Sequence, residues 1–99
     1  MVVHIVMWKC IGNSRQEQQK NAVKIKKLLD SLLGKVPQIV DFEVGLDLSC
    51  TSVSYDVSLY SSFRSPDDLQ GYANHPEHKE VAAVIGKLVA GRHVVDYEK

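Results

Sequence analysis

The chain of 99 residues has little of most things that would narrow its class at once. It holds only two cysteines, Cys10 and Cys50. They form no close pair of the metal-ligand type, and two cysteines do not make a secreted disulfide framework. Each is expected as a free thiol near a strand end. Net charge is absent as well: 12 basic residues balance 12 acidic ones. The densest basic stretch, Lys20, Lys24, Lys26 and Lys27, lacks interleaved aromatics, so it reads as the wet side of a helix and not as a nucleic-acid surface. There is no long hydrophobic run. The N-terminal stretch Val2-Val3-His4-Ile5-Val6-Met7-Trp8 is too short to cross a membrane and follows no basic region or cleavage site. The expectation is a reducing, cytoplasmic setting without membrane or nucleic-acid partners. No internal repeat, low-complexity tract or linker divides the chain, which reads as a single domain over 1–99.

What is present is a clear succession of periodicities. Residues 2 to 10 are β-branched and aromatic, with Val3, Ile5 and Met7 on one face and Val2, Val6 and Trp8 on the other. Such a strand suits a central place covered on both sides. Gly12-Asn13-Ser14 breaks it. Ser14 and Glu17 have capping-box spacing, and a helix is expected to about Leu33, with Ala22, Ile25, Leu28, Leu29, Leu32 and Leu33 at helical intervals. Gly34 supplies the stop and Pro37 follows closely. Residues 39 to 48 alternate, Val40, Phe42, Val44 and Leu46 against Asp41, Glu43, Gly45 and Asp47, as a half-buried strand. A third strand is expected over 53 to 63, with Val53, Tyr55, Val57, Leu59 and Phe63 on one face. Ser54, Asp56, Ser58, Tyr60 and Ser62 fall on its other face.

Ser65-Pro66-Asp67-Asp68 is a helix start: a cap, a proline in the first turn, then acids favoured by the macrodipole. The Asn74-His75-Pro76 step interrupts that helix. A second helix is expected from Pro76 to about Ala90, stopped by Gly91. A last strand follows over 92 to 98, with His93, Val95 and Tyr97 on one face. The order β-α-β-β-α-β is the split βαβ arrangement of the ferredoxin-like fold: an α+β subunit with a four-stranded antiparallel sheet and the helices on one face. Several strands are apolar on both faces, so the face without helices carries surplus apolar surface. Two copies packing sheet against sheet would bury it, and a homodimer is expected.

The segment Gly71-Tyr72-Ala73-Asn74-His75-Pro76-Glu77-His78 carries the candidate chemistry. Tyr72, His75 and His78 stand one helical turn apart. A histidine at a helix N-terminus stays neutral near pH 7, which suits a general base. A neighbouring tyrosine hydroxyl can polarise a carbonyl. His75, just before proline, reads as a cap. His-x-x-His is too few ligands for a metal without a third.

Together with Val3-His4-Ile5-Val6, Trp8-Lys9, Gly34-Lys35-Val36-Pro37, Tyr55-Asp56-Val57 and Val94-Val95-Asp96-Tyr97, the segment His75-Pro76-Glu77-His78 after Tyr72 resembles the stress-responsive dimeric α/β-barrel (Dabb) domain family along nearly the whole chain. The resemblance implies a ferredoxin-like subunit whose dimer closes into a barrel. Bacterial members mostly lack an assigned reaction. A plant polyketide cyclase of this kind closes a ring by aldol condensation, with its base and tyrosine at positions matching His78 and Tyr72 and a first-strand histidine matching His4. A further pocket histidine falls where this chain has Val57, so the cyclase site is not fully reproduced. Some plant members hold a cation on backbone carbonyls after the first helix, and Leu33, Val36 and Ile39 match those positions, which implies a structural divalent cation there.

The function expected is binding of a small hydrophobic or phenolic ligand in a pocket between sheet and helices. His4, Trp8, Phe42, Tyr60 and His75 are its expected walls, with His78 and Tyr72 as base and hydroxyl donor for proton transfer next to a carbonyl. A non-catalytic dimeric stress protein and a ferredoxin-like monooxygenase are the competing classes.

Overall fold

A computed structural model describes all residues, 1–99. The elements run β1 (Val2–Cys10), α1 (Arg15–Asp30), β2 (Asp41–Leu46), β3 (Val57–Phe63), α2 (Pro66–Asn74), α3 (Pro76–Gly86) and β4 (Val89–Glu98). The sheet is antiparallel with strand order β2-β3-β1-β4. β1, apolar on both faces, lies inside the sheet between β3 and β4, as its composition requires.

The even residues of β1 face the helices. Val6, Trp8 and Cys10 join Ala22, Ile25 and Leu29 of α1, Leu59 and Phe63 of β3, Tyr72 of α2 and Val81 and Ile85 of α3 in one buried core. The odd residues Ile5 and Met7 face the other way, opposite Tyr60 and Ser58 on β3 and Val95 and His93 on β4.

The helix starts are those expected from the sequence. Ser14 Oγ accepts from the Glu17 N–H at 3.1 Å, while the Glu17 carboxylate accepts from the Asn13 N–H at 2.9 Å. That second bond falls one residue before the cap, a small displacement from the reciprocal box. Ser65 Oγ accepts from the Asp68 N–H at 3.1 Å.

β2 is shorter at both ends than the alternation over 39 to 48, and three further boundaries differ from the periodicity. First, α1 ends at Asp30, and the chain turns through 31–35 with Gly34 at φ +83°. Leu32 is fully buried in that turn, but Leu33 points outward. Second, β3 starts at Val57 and not at residue 53. Thr51 and Ser54 close a turn through their hydroxyls (2.7 Å) and a 3.2 Å backbone bond, which leaves Val53 86% exposed. Asp56, expected within that strand on the face opposite Val57 and Leu59, lies just before it and is buried. It accepts from the Cys10 N–H at 2.7 Å, with Lys9 Nζ at 3.6 Å and an Arg15 guanidinium nitrogen at 3.9 Å. Third, α3 ends at Gly86. The Leu88 carbonyl accepts from the Ile11 N–H at 2.9 Å, so the end of β1 draws the chain into the sheet and Val89 already pairs with Cys10. Gly91 therefore lies inside β4, opposite Lys9, where a Cβ would stand 3.4 Å from the Tyr55 hydroxyl.

Candidate functional site

Between the helix-facing side of β1 and the helices lies a cavity of about 250 Å³. Its polar wall is His4, Tyr72, His78 and Arg92; its apolar wall includes Val6, Trp8, Leu59 and Val81. The local sequence explains how α2 and α3 deliver two of these groups. Proline at 76 breaks the helix, and His75 closes both pieces: its N–H donates to the Tyr72 carbonyl at 3.1 Å, and its Nδ1 accepts from the Glu77 N–H at 3.1 Å. The break preserves the approach of Tyr72 to His78, whose ring centroids are 4.4 Å apart.

Tyr72 is the hub of an aromatic cluster. Phe63 packs at 5.1 Å, His4 at 6.1 Å and Phe42 at 6.3 Å between ring centroids. Burial pushes its phenol pKa up, only partly offset by the positive charge of Arg92, so the hydroxyl stays protonated. His78 is held in one tautomer. Its Nδ1 lies 3.1 Å from the Ala73 carbonyl, which can only accept, so Nδ1 carries the proton and Nε2 keeps a lone pair. Burial lowers the imidazole pKa from 6.5; the bond to Ala73 opposes this, and the charges of His4, Arg92 and His75 add to it. A neutral imidazole with a free lone pair next to a protonated phenol can take a proton at one position and give a hydrogen bond at another. His4 Nδ1 is 2.5 Å from Asp96 Oδ1, a carboxylate that fixes the orientation of this ring too.

Of the residues expected from sequence, the structure brings His4, Trp8, Tyr72 and His78 to one cavity. Three expected walls stand elsewhere. Tyr60 pairs with Ile5 on the sheet face away from the helices. Phe42 packs behind Tyr72 and does not reach the cavity. His75 spends its ring on the α3 cap. Arg92 and Asp96 were missed. The alternation that placed His93, Val95 and Tyr97 together puts them on the opposite face, which is the signal that could have found them. No three His, Cys, Asp or Glu side chains stand close enough to hold a metal ion. In the turn after α1, the Val36 carbonyl accepts from the Ile39 N–H at 3.3 Å.

The profile of the stress responsive A/B barrel domain family (Dabb) matches residues 2–99. The chain belongs to that family. Among solved structures, this Dabb domain is similar to a dimeric protein of unknown function with a ferredoxin-like fold from Bacteroides fragilis (31% identity, 99% of this chain and 95% of the other, TM-score 0.87). It also superposes on a hydroxynitrile lyase from Passiflora edulis (21% identity, 97% and 90% covered, TM-score 0.80). A third similar structure is a putative antibiotic biosynthesis monooxygenase from Deinococcus radiodurans (14% identity, 100% and 92% covered, TM-score 0.75). At these last two identities the likeness is one of fold alone. No curated protein sequence matches the chain. No helix of the Dabb domain is long and apolar enough to cross a membrane.

Proposed function

We propose that the cavity between sheet and helices binds a small, largely apolar molecule bearing a carbonyl, and that His78 moves a proton next to that carbonyl while Tyr72 donates a hydrogen bond to its oxygen. The observation that carries this reading is the fixed tautomer of His78: Nδ1 is committed to the Ala73 carbonyl at 3.1 Å, which leaves Nε2 as a base beside a protonated phenol. Burial supports it from both sides, keeping the imidazole neutral and the phenol protonated. The reading also includes a homodimer, formed through the sheet face that bears Ile5, Met7, Tyr60, Val95 and Tyr97. The Bacteroides fragilis relative is itself described as dimeric.

The test needs no knowledge of the physiological substrate. Small aryl ketones exchange their α-protons slowly in deuterated buffer, and proton NMR follows the loss of signal. The protein is expected to accelerate exchange, and His78→Ala to abolish the acceleration with an unchanged circular dichroism spectrum. Tyr72→Phe is expected to slow it by about 10²-fold, the scale of one lost donor to a developing oxyanion. Equal rates in the parent protein and His78→Ala would remove His78 as the base and favour a purely structural role.

A further inference from the structure

Arg92 is the one cavity-lining group with a permanent charge, and nothing in the chain neutralises it. It stands on the helix-facing side of β4, in register with Trp8, and is exposed at the solvent edge of the cavity. It takes part in none of the ion pairs of the chain. The carboxylates that could have answered it are spent. Asp96, on the same face of β4, pairs with His4, and Asp56 serves Lys9, Arg15 and the Cys10 N–H. No cavity-lining residue is an aspartate or glutamate. The cavity thus joins an apolar interior, the hydrogen-bonding side chains of Tyr72 and His78 on one wall and an unanswered cation at its edge. That charge reaches the functional pair, since both Tyr72 and His78 respond to it electrostatically.

We propose that Arg92 holds the carboxylate of the ligand, so that the site takes a small monocarboxylate whose apolar body fills the cavity. This rests on the pocket reading above and adds the substrate class to it. The guanidinium presents parallel N–H donors in a fixed fork that matches the two oxygens of a carboxylate, and a partly dry site strengthens such a pair. A phosphate dianion fits less well. Only one permanently charged cation lines the cavity, and the Glu77 N–H at the start of α3 is already taken by His75 Nδ1. The volume of about 250 Å³ lies below the usual range for drug-sized ligands, which limits the body to a single ring or a short chain.

Calorimetric titration of the full chain with phenylacetate, 3-phenylpropionate and hexanoate, each beside its primary amide, tests the assignment. The amide keeps shape and hydrogen bonding but loses the charge. At least one acid is expected to bind more tightly than its amide by about tenfold, with carbon–proton NMR shifts at His78 and Tyr72. Arg92→Gln is expected to erase the ratio, and Arg92→Lys to retain part of it. Acids and amides that bind equally, with shifts still at His78 and Tyr72, would overturn the role of Arg92 and leave the pocket standing. A ratio that survives in Arg92→Gln would overturn it as well. Shifts confined to residues elsewhere, or no binding by any of the six compounds, would overturn the pocket and the carboxylate site together.

Discussion

Around Tyr72 the chain gathers His4, Phe42, Phe63 and His78, and burial favours the neutral forms of Tyr72 and His78. The lowered pKa of His78 has a consequence for stability. Below pH 6.5 the unfolded chain binds a proton at this side chain that the folded chain resists. Its contribution is therefore fully present above 6.5 and is lost as pH falls through that value toward the folded pKa. Urea unfolding between pH 7.5 and pH 5 is expected to show a steeper loss of stability in the parent protein than in His78→Gln, which has no proton to gain. The thiols offer a second check at the same scale. Burial, reinforced by the charge of Asp56, pushes Cys10 up to about 11, while Cys50 is exposed. An aromatic disulfide reagent is expected to titrate one thiol at once in the native protein and the second only on unfolding. The residue scale was the most legible for Tyr72 and His78, whose spacing is local. It was least legible for Arg92 and Asp96, whose importance depends on which face of β4 meets the cavity.

Among the elements, the α2–α3 break does the positioning. His75 caps α3 through its ring, in place of the usual short polar side chain. His75→Ala should cost about 1 kcal/mol, the ordinary value of a lost cap, and His75→Asn should recover most of it; denaturant midpoints measure both. His78 follows at the start of the same helix, so His75→Ala should also weaken any ketone exchange by loosening the turn that holds the base. Helix starts were readable because capping chemistry is local: Ser14 bonds Glu17, and Ser65 bonds Asp68, within a few residues. Ends were not. Strand alternation at Val53 and Tyr55 continued by composition into residues that close a hydroxyl-bonded turn. The apolar run through Leu88 and Val89 looked helical until the Ile11 N–H claimed the Leu88 carbonyl. In both cases the deciding bond comes from packing or a turn that periodicity does not register.

At the scale of the molecule, the sheet is covered by helices on one side only. On the open side Met7, Val95 and Tyr97 are 42%, 53% and 45% exposed, a contiguous apolar surface of the kind that marks an interface. Light scattering at micromolar concentration is expected to give twice the 11.1 kDa chain mass. Val95→Asp, which places a charge on that apolar face beside Ile5, should shift the species toward the monomer while leaving the core intact. An unshifted mass for Val95→Asp would move the interface elsewhere.

The sequence by itself determined the order of elements, the open apolar face, the helix caps and the approach of Tyr72 to His78. Each of these follows from periodicity or from contacts between residues close in the chain. The tertiary structure alone decided which odd or even set of each strand meets the helices, and hence that Arg92 belongs to the cavity wall and Asp96 pairs with the wall residue His4, while Tyr60 faces away. It also decided that Asp56 is buried under the end of β1. The physical reason is common to all three. A strand's alternation separates two faces but does not say which one is buried, and that choice is made by partners 46 to 92 residues away along the chain, such as Leu59 beside Val6, Cys10 over Asp56, and Asp96 against His4.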